Sequence, residues 1–309
     1  MLPLHSPVWS VNRTRQVQWN NLPVHAKYVF ALDDREERAN PQMWREGLAN
    51  APDRCVAIVE ANQSSMKVRV SGADLTIGLT DYEKISQVIG NGAVCIDVSG
   101  LSHSTWAPLL KTAMISSESV RVMYFEPDAY RYHKSPSSVS PFDLSSAFTG
   151  VQPIPGFANL RGPKDGAPTI FVPFLGFEGS RSRQVAMTLD PVPKVVPVLG
   201  LPGFKLQYPQ WALSCNQEFL EENSAQPQLR YASANNPFEA YEVLSEIRRD
   251  NPNSYLYVAP IGTKPHAIGA ILFALDNSED TEIMFDHPVK IAGRSTGVGT
   301  VNIYQLKGE

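Results

Sequence analysis

The chain is predicted to be an α/β protein, and three observations carry that prediction. Short apolar, β-prone runs alternate with stretches of helical spacing along the 309 residues, the pattern of parallel strands joined by helices. The stretch 254–275, SYLYVAPIGTKPHAIGAILFAL, compresses the pattern into one unit of strand, Gly-containing turn and helix. That unit also occurs twice. AVCIDVSGLSHSTWAPLLKTAMISSESVRVMYFEP in the first half and YLYVAPIGTKPHAIGAILFALDNSEDTEIMFDHP in the second each run strand, turn with glycine (Gly100, Gly262), helix, strand, acidic residue and proline (Pro127, Pro288).

Taken in order, residues 1–26 show no period and are expected to drape over the domain. A strand is expected at 28–32, closed by Asp33 and Asp34, then a helix at 38–50 with Met43, Trp44 and Leu48 as apolar contacts. Strands follow at 54–60 and 66–70. Asp81 is a suitable N-cap for a helix at 82–89, because its short carboxylate can accept from the free amides of the first turn. A strand at 93–98 leads to a helix capped by Ser104 or Thr105 and running to about 115, and then to a strand at 119–125. Residues 130–168 are rich in Pro, Ser and Gly, which predicts a linker or an excursion with a packing or functional role.

The first pattern then restarts. Strands are expected at 170–176, 194–199, 228–232, 255–259 and 281–285. The helices between them open at 178–183, at 208, at Asn236-Pro237 and at 263–266. An alternating strand at 300–306 can pair antiparallel at an edge. The predicted architecture is two Rossmann-like units with mainly parallel sheets, at 1–135 and 168–309, joined by a Pro/Ser/Gly-rich segment at 136–167.

Composition narrows the function classes. With 43% hydrophobic and 19% charged residues, the chain can bury a core. A net charge of -4 argues against general nucleic-acid binding, which needs a basic excess. No apolar run approaches the ~20 residues that span a bilayer, and the amino terminus lacks a charged start followed by an apolar core. A cytoplasmic protein with no membrane association is expected. Cys55, Cys95 and Cys215 form no CxxC pair and are expected as buried free thiols.

In sheets of this class ligands sit at the carboxyl ends of strands, so the strand-ending turns are the candidate sites. In Gly262-Thr263-Lys264-Pro265, Thr263 is a plausible N-cap, Pro265 suits the first helical turn, and Lys264 is expected as a mobile cation at the mouth, beside His266. Backbone amides, the hydroxyl and the ammonium would together hold a phosphate. The alternative is a tight turn with an exposed lysine. The spacing is neither GxxxxGK[ST] nor GxGxxG. Gly176, Glu178, Gly179, Arg181 and Arg183 form the companion turn, where two guanidinium forks are available to a phosphate and sit unfavourably for a helix start. Asp33, Asp34 and Asp97, with Glu126 or Asp128 in reach, are candidates for a Mg²⁺ site; the alternative is that they cap helices and close turns. His103, His266 and His287 are expected as surface or cap residues, although His266 adjoins the preferred turn. No His/Cys cluster has zinc spacing and no GxSxG elbow is present.

The Gly262-Thr263-Lys264 turn after a late strand resembles the ligand turn of the CRISPR-associated Rossmann-fold (CARF) sensor domains. The resemblance covers the second half, with Gly176 to Arg183 loosely matching the family's first-strand turn. It implies a sensor of a phosphate-bearing nucleotide-type ligand, of the cyclic oligoadenylate kind, in prokaryotic antiviral defence. No other cofactor is implied, and a homo-oligomer or a partner protein is expected. Two further functions remain open: a metal-dependent phosphoryl-transfer or phosphodiester hydrolase using Mg²⁺ at the first-half carboxylates, and a non-catalytic subunit of a defence or DNA-processing assembly.

Overall fold

The computed structural model describes residues 9–33, 36–39, 41–137 and 139–308. The chain divides into two compact units, Met1–Arg131 with Ala292–Glu309, and Tyr132–Ile291. In chain order the principal strands are β1 (Ser10–Thr14), β2 (Ala26–Ala31), β3 (Cys55–Ala61), β4 (Ser65–Val70), β5 (Ala73–Gly78), β6 (Ala93–Asp97) and β7 (Ser119–Phe125). Then come β8 (Gln152–Pro153), β9 (Thr169–Pro173), β10 (Lys194–Val195), β11 (Val198–Gly200), β12 (Arg230–Ala232), β13 (Tyr255–Ala259), β14 (Thr281–Phe285) and β15 (Val301–Lys307). The helices are α1 (Gln42–Asn50), α2 (Tyr82–Ile89), α3 (His103–Ser116), α4 (Gly179–Ala186), α5 (Tyr208–Cys215), α6 (Gln217–Glu222), α7 (Pro237–Asp250) and α8 (Lys264–Asp276).

The first unit is built on one eight-stranded sheet in the order β1-β15-β7-β6-β2-β3-β4-β5. Its centre, β3-β2-β6-β7, is parallel, while β4, β5, β15 and β1 run antiparallel at the edges. The sheet is therefore mixed rather than mainly parallel. Right-handed crossovers that step in opposite directions from the centre put α1 on one face and α3 on the other. On the α1 face, Trp44 stacks on Phe30 at 4.5 Å between ring centres and meets Tyr28 and Trp19 at an angle.

Three local expectations change in this unit. Residues 1–26 were expected without period, yet β1 pairs with β15. The hairpin β4-β5 went unpredicted, although Ser71-Gly72 between the two strands is a two-residue turn with both φ positive. The expected helix at 38–50 divides into a short turn, Glu37–Ala39, and α1, because Pro41 has no backbone N–H to donate within a helix. The strand expected at 300–306 also belongs here: β15 lies beside β7 and not at an edge of the second unit's sheet.

In the second unit β9, β13 and β14 are parallel, β10 lies on the other side of β9, and β8 is an antiparallel edge. β11 continues the line of β10, bridges Phe174 through Val198, and carries β12 beside it. The parallel order is thus β12-β11/β10-β9-β13-β14. Winding reverses between β9 and β13. The segment expected as a linker or an excursion contains short antiparallel pairs, Tyr132–Ser137 with Ser140–Phe142 and Ser145–Phe148 with Pro288–Lys290. Phe171, Val185, Leu199, Phe219 and Tyr257 share one core on the α4–α6 face. On the other face α7 packs on α8 so closely that a Cβ at Gly269 would lie 2.2 Å from the Pro237 carbonyl oxygen. The small residues of α8 are explained by that contact. The expected helix from 208 to 222 breaks at Asn216, whose side-chain amide donates to the Ala212 carbonyl of α5 and to the Gly176 carbonyl in the turn after β9.

Candidate ligand site at the carboxyl edge

The turns after β9 and β13 flank the reversal point of the second sheet, where a crevice is expected in this class of fold. They touch. A Cβ at Gly262 would lie 2.9 Å from the Leu175 carbonyl oxygen, and one at Gly176 3.1 Å from that of Ile261. Close backbone approach thus requires the glycine at 262 and favours the one at 176. Thr263 caps α8, its hydroxyl accepting from the His266 amide at 3.3 Å and donating to the Ala234 carbonyl at 2.5 Å. One threonine therefore joins the β13 turn to the turn after β12.

His266 is the centre of this edge. Its ring lies 5.0 Å from that of Phe174, its Cε1 stands against Gly200, and its Nε2 is 3.1 Å from the Ser233 carbonyl oxygen. A carbonyl only accepts, so Nε2 carries the proton and Nδ1 is a bare acceptor. That Nδ1 is fully buried and has no hydrogen-bond partner among the described residues. Burial pushes the imidazole down to about 4, against the pull of the Ser233 carbonyl, and it is neutral at neutral pH.

A pH dependence follows. Free histidine titrates near ~6.5. Because the folded value is depressed, the unfolded chain takes up the extra proton first, and stability falls as pH drops from the unfolded value toward the folded one. Between about pH 7.5 and about pH 4.5 this group is expected to remove about 2–3 kcal/mol. Urea midpoints for wild type and His266→Phe at both pH values check this; an equal drop in both proteins would refute it.

The remaining expected site residues are placed differently. Lys264 is only 7% exposed and is not the mobile cation expected at the mouth of the turn. Arg181 is buried and grips Asp286 with two bonds of 2.7 Å, while its third nitrogen reaches Glu178 at 3.5 Å. Glu178 also accepts from Ser145. Arg183 pairs with Glu218 and Glu222 at the surface. Gly179 serves packing, since a Cβ there would fall 1.8 Å from the Cys215 carbonyl oxygen. The arginines of the companion turn are thus committed to carboxylates of their own.

In the first unit Asp97 is buried, with Oδ2 accepting from Trp44 Nε1 and Oδ1 from the Ser99 amide, both at 2.8 Å. It acts as a strut, the capping alternative to a metal ligand. Asp33 uses its carbonyl to accept from the Glu36 amide, and Asp34 lies outside the described residues. Glu126 accepts from Asn302. Among the described residues no group of three or more His, Cys, Asp or Glu is placed to hold a metal ion. His103 lies against Trp106, and His287 is mostly buried against Phe285 rather than on the surface. The three cysteines are free and buried, and burial pushes Cys55 and Cys215 up to about 11 and Cys95 up to about 12.

Sequence patterns missed a second charged cluster in the first unit. Buried Glu36 accepts from Arg38 at 2.9 Å, Arg294 at 2.7 Å and Ser295 at 3.2 Å, while Arg38 also reaches the Tyr124 hydroxyl. Its members lie 258 residues apart in the chain, so no local spacing announces it. The fold is that of an α/β protein with one mixed and one mainly parallel sheet. No protein-family model matches the chain, and no curated protein matches it. Among the described residues no helix is long and apolar enough to cross a membrane.

Proposed function

We propose that the chain is a sensor or regulatory protein whose second unit is Rossmann-like and binds a phosphate-bearing, nucleotide-type ligand at its carboxyl edge. The observation that carries this reading is the convergence of the turns after β9, β11, β12 and β13 on one helix start. Winding reverses there, α8 presents its amino-terminal amides, and the buried Nδ1 of His266 offers an unused acceptor. The arginines of the companion turn play no part, and the ligand's charge falls to the backbone amides and Lys264, while Thr263 holds the turn in place. The likeness of Gly262-Thr263-Lys264 to the CARF ligand turn supports a cyclic oligonucleotide as the first probe.

The test is a melting-temperature screen with AMP, ADP, cyclic dinucleotides and cyclic oligoadenylates, followed by calorimetry. Lys264→Met is expected to weaken the ligand so found by about tenfold or more, because a charge-assisted contact is worth ~1.5–3 kcal/mol. His266→Phe is expected to weaken it as well, while Arg183→Gln leaves it unchanged. Equal affinities in wild type and Lys264→Met would remove this turn from the binding site.

A further inference from the structure

A cavity lies wholly within the first unit, at the amino-terminal ends of β2, β6 and β7. It measures about 630 Å³, within the ~300–1,000 Å³ typical of small-ligand pockets. Its origin is topological. On this face of the sheet α1 packs, through Met43 and Trp44, on β2 and β3. Over β6 and β7 the face is roofed by the segment that includes Val17, Asn21 and Leu22. That roof is pinned: the Tyr28 hydroxyl and Arg54 donate to the Pro23 carbonyl, and Arg54 lies over the Trp19 ring. The floor is the pleat itself: strand register pairs Tyr28 with Cys95 in one row and Met123 with Ile303 in the next row on the same face.

One residue of this floor breaks its apolar character. Arg121 stands in the middle of β7, with Cys95 as its neighbour on β6 and Gln305 on β15. Its Nε donates to the Gln305 amide oxygen, and that amide is held in turn by bonds to Ser119 and to the Lys307 and Gly308 carbonyls. The guanidinium is therefore oriented by its Nε edge. Its two Nη groups have no partner among the described residues, and the cavity they line contains Arg13 and His25 but no Asp or Glu. Among the described residues that line the cavity, this half-buried cation has no carboxylate beside it, although the chain's net charge is -4.

We propose that this cavity binds a small organic acid with an apolar body, its carboxylate on the free fork of Arg121 and its hydrocarbon or ring over Cys95, Met123 and Ile303. A guanidinium fork matches a carboxylate in a bidentate manner, and the rest of the floor offers nothing for a strongly polar body. The Cys95 thiol serves as apolar surface. The site is independent of the carboxyl-edge reading of the second unit.

The test is calorimetry on the full chain with octanoate, indole-3-acetate, octanol and AMP at low salt. Wild type is expected to bind at least one of the two acids, at least tenfold more tightly than octanol. Arg121→Gln is expected to abolish that preference, Arg121→Lys to keep part of it, and Lys264→Met to leave it intact. If Arg121→Gln does not fold, Ala93→Phe, which fills the floor from β6, serves instead and is expected to lose both acids. The proposal is overturned if neither acid binds at millimolar concentration. It is equally overturned if the acids bind no better than octanol or bind the Arg121→Gln and Ala93→Phe variants as well as wild type. Arg121-dependent binding of AMP in place of either acid would overturn the class of ligand.

Discussion

Asp286→Ala is expected to destabilise the second unit by about 3–5 kcal/mol, the usual loss when one member of a buried ion pair is removed. Asp286 is fully buried and Arg181 nearly so, and two parallel bonds of 2.7 Å join them. Alanine would leave a guanidinium out of water with Glu178, at 3.5 Å, as its remaining ionic partner among the described residues. The loss should be insensitive to salt, since a buried pair is poorly screened. Replacing both partners at once, Arg181→Met with Asp286→Leu, should cost far less than either single change, because no charge is then stranded. Urea titrations of the two single variants and the double variant provide the cycle. Additive losses would show that the two side chains are not coupled as the geometry requires.

The second large effect is expected at Trp44. Trp44→Ala should cost about 3–5 kcal/mol, in the range of large aromatic truncations. The indole has no exposed surface, stacks on Phe30 within 5° of parallel, and donates to Asp97. Trp44→Phe separates the two roles. It keeps most of the ring contacts and withdraws the Nε1 donor from buried Asp97, at a cost of about 1–3 kcal/mol. Denaturation midpoints distinguish the variants. If Trp44→Phe proves neutral, Asp97 is held by other means and its strut role fails.

Both predictions concern groups that local sequence patterns assign to other work. Arg181 in a glycine-containing turn suits a phosphate, and Asp97 after a strand suits a metal. What redirects them is a partner distant in the chain: Asp286 lies 105 residues from Arg181, and Trp44 lies 53 from Asp97. A carboxylate that can be reached and buried is a permanent ligand for a guanidinium, and it leaves no fork free for a substrate.

The sequence by itself determined the alternation of strand and helix, the burial of β13 and the capping of α8 by Thr263. Each depends on residues within a few positions of one another, and each is visible as period or cap chemistry. It also determined that Gly262 and Gly176 matter, though not why. Only the tertiary structure decided the strand order, which sets the reversal between β9 and β13 and sends β15 to the first sheet. It alone decided that Lys264 is buried, that both glycines answer to each other's backbone, and that His266 holds an unused nitrogen. It also decided that Arg121 stands on an apolar floor with an open fork, although the arginine amid SVRVMYF was visible all along. The physical reason is common to all of these. Local pattern reports which face of an element is apolar, whereas pairing, burial of charge and the shape of a cavity depend on which distant segment covers that face, and chain entropy leaves that choice to the folded whole.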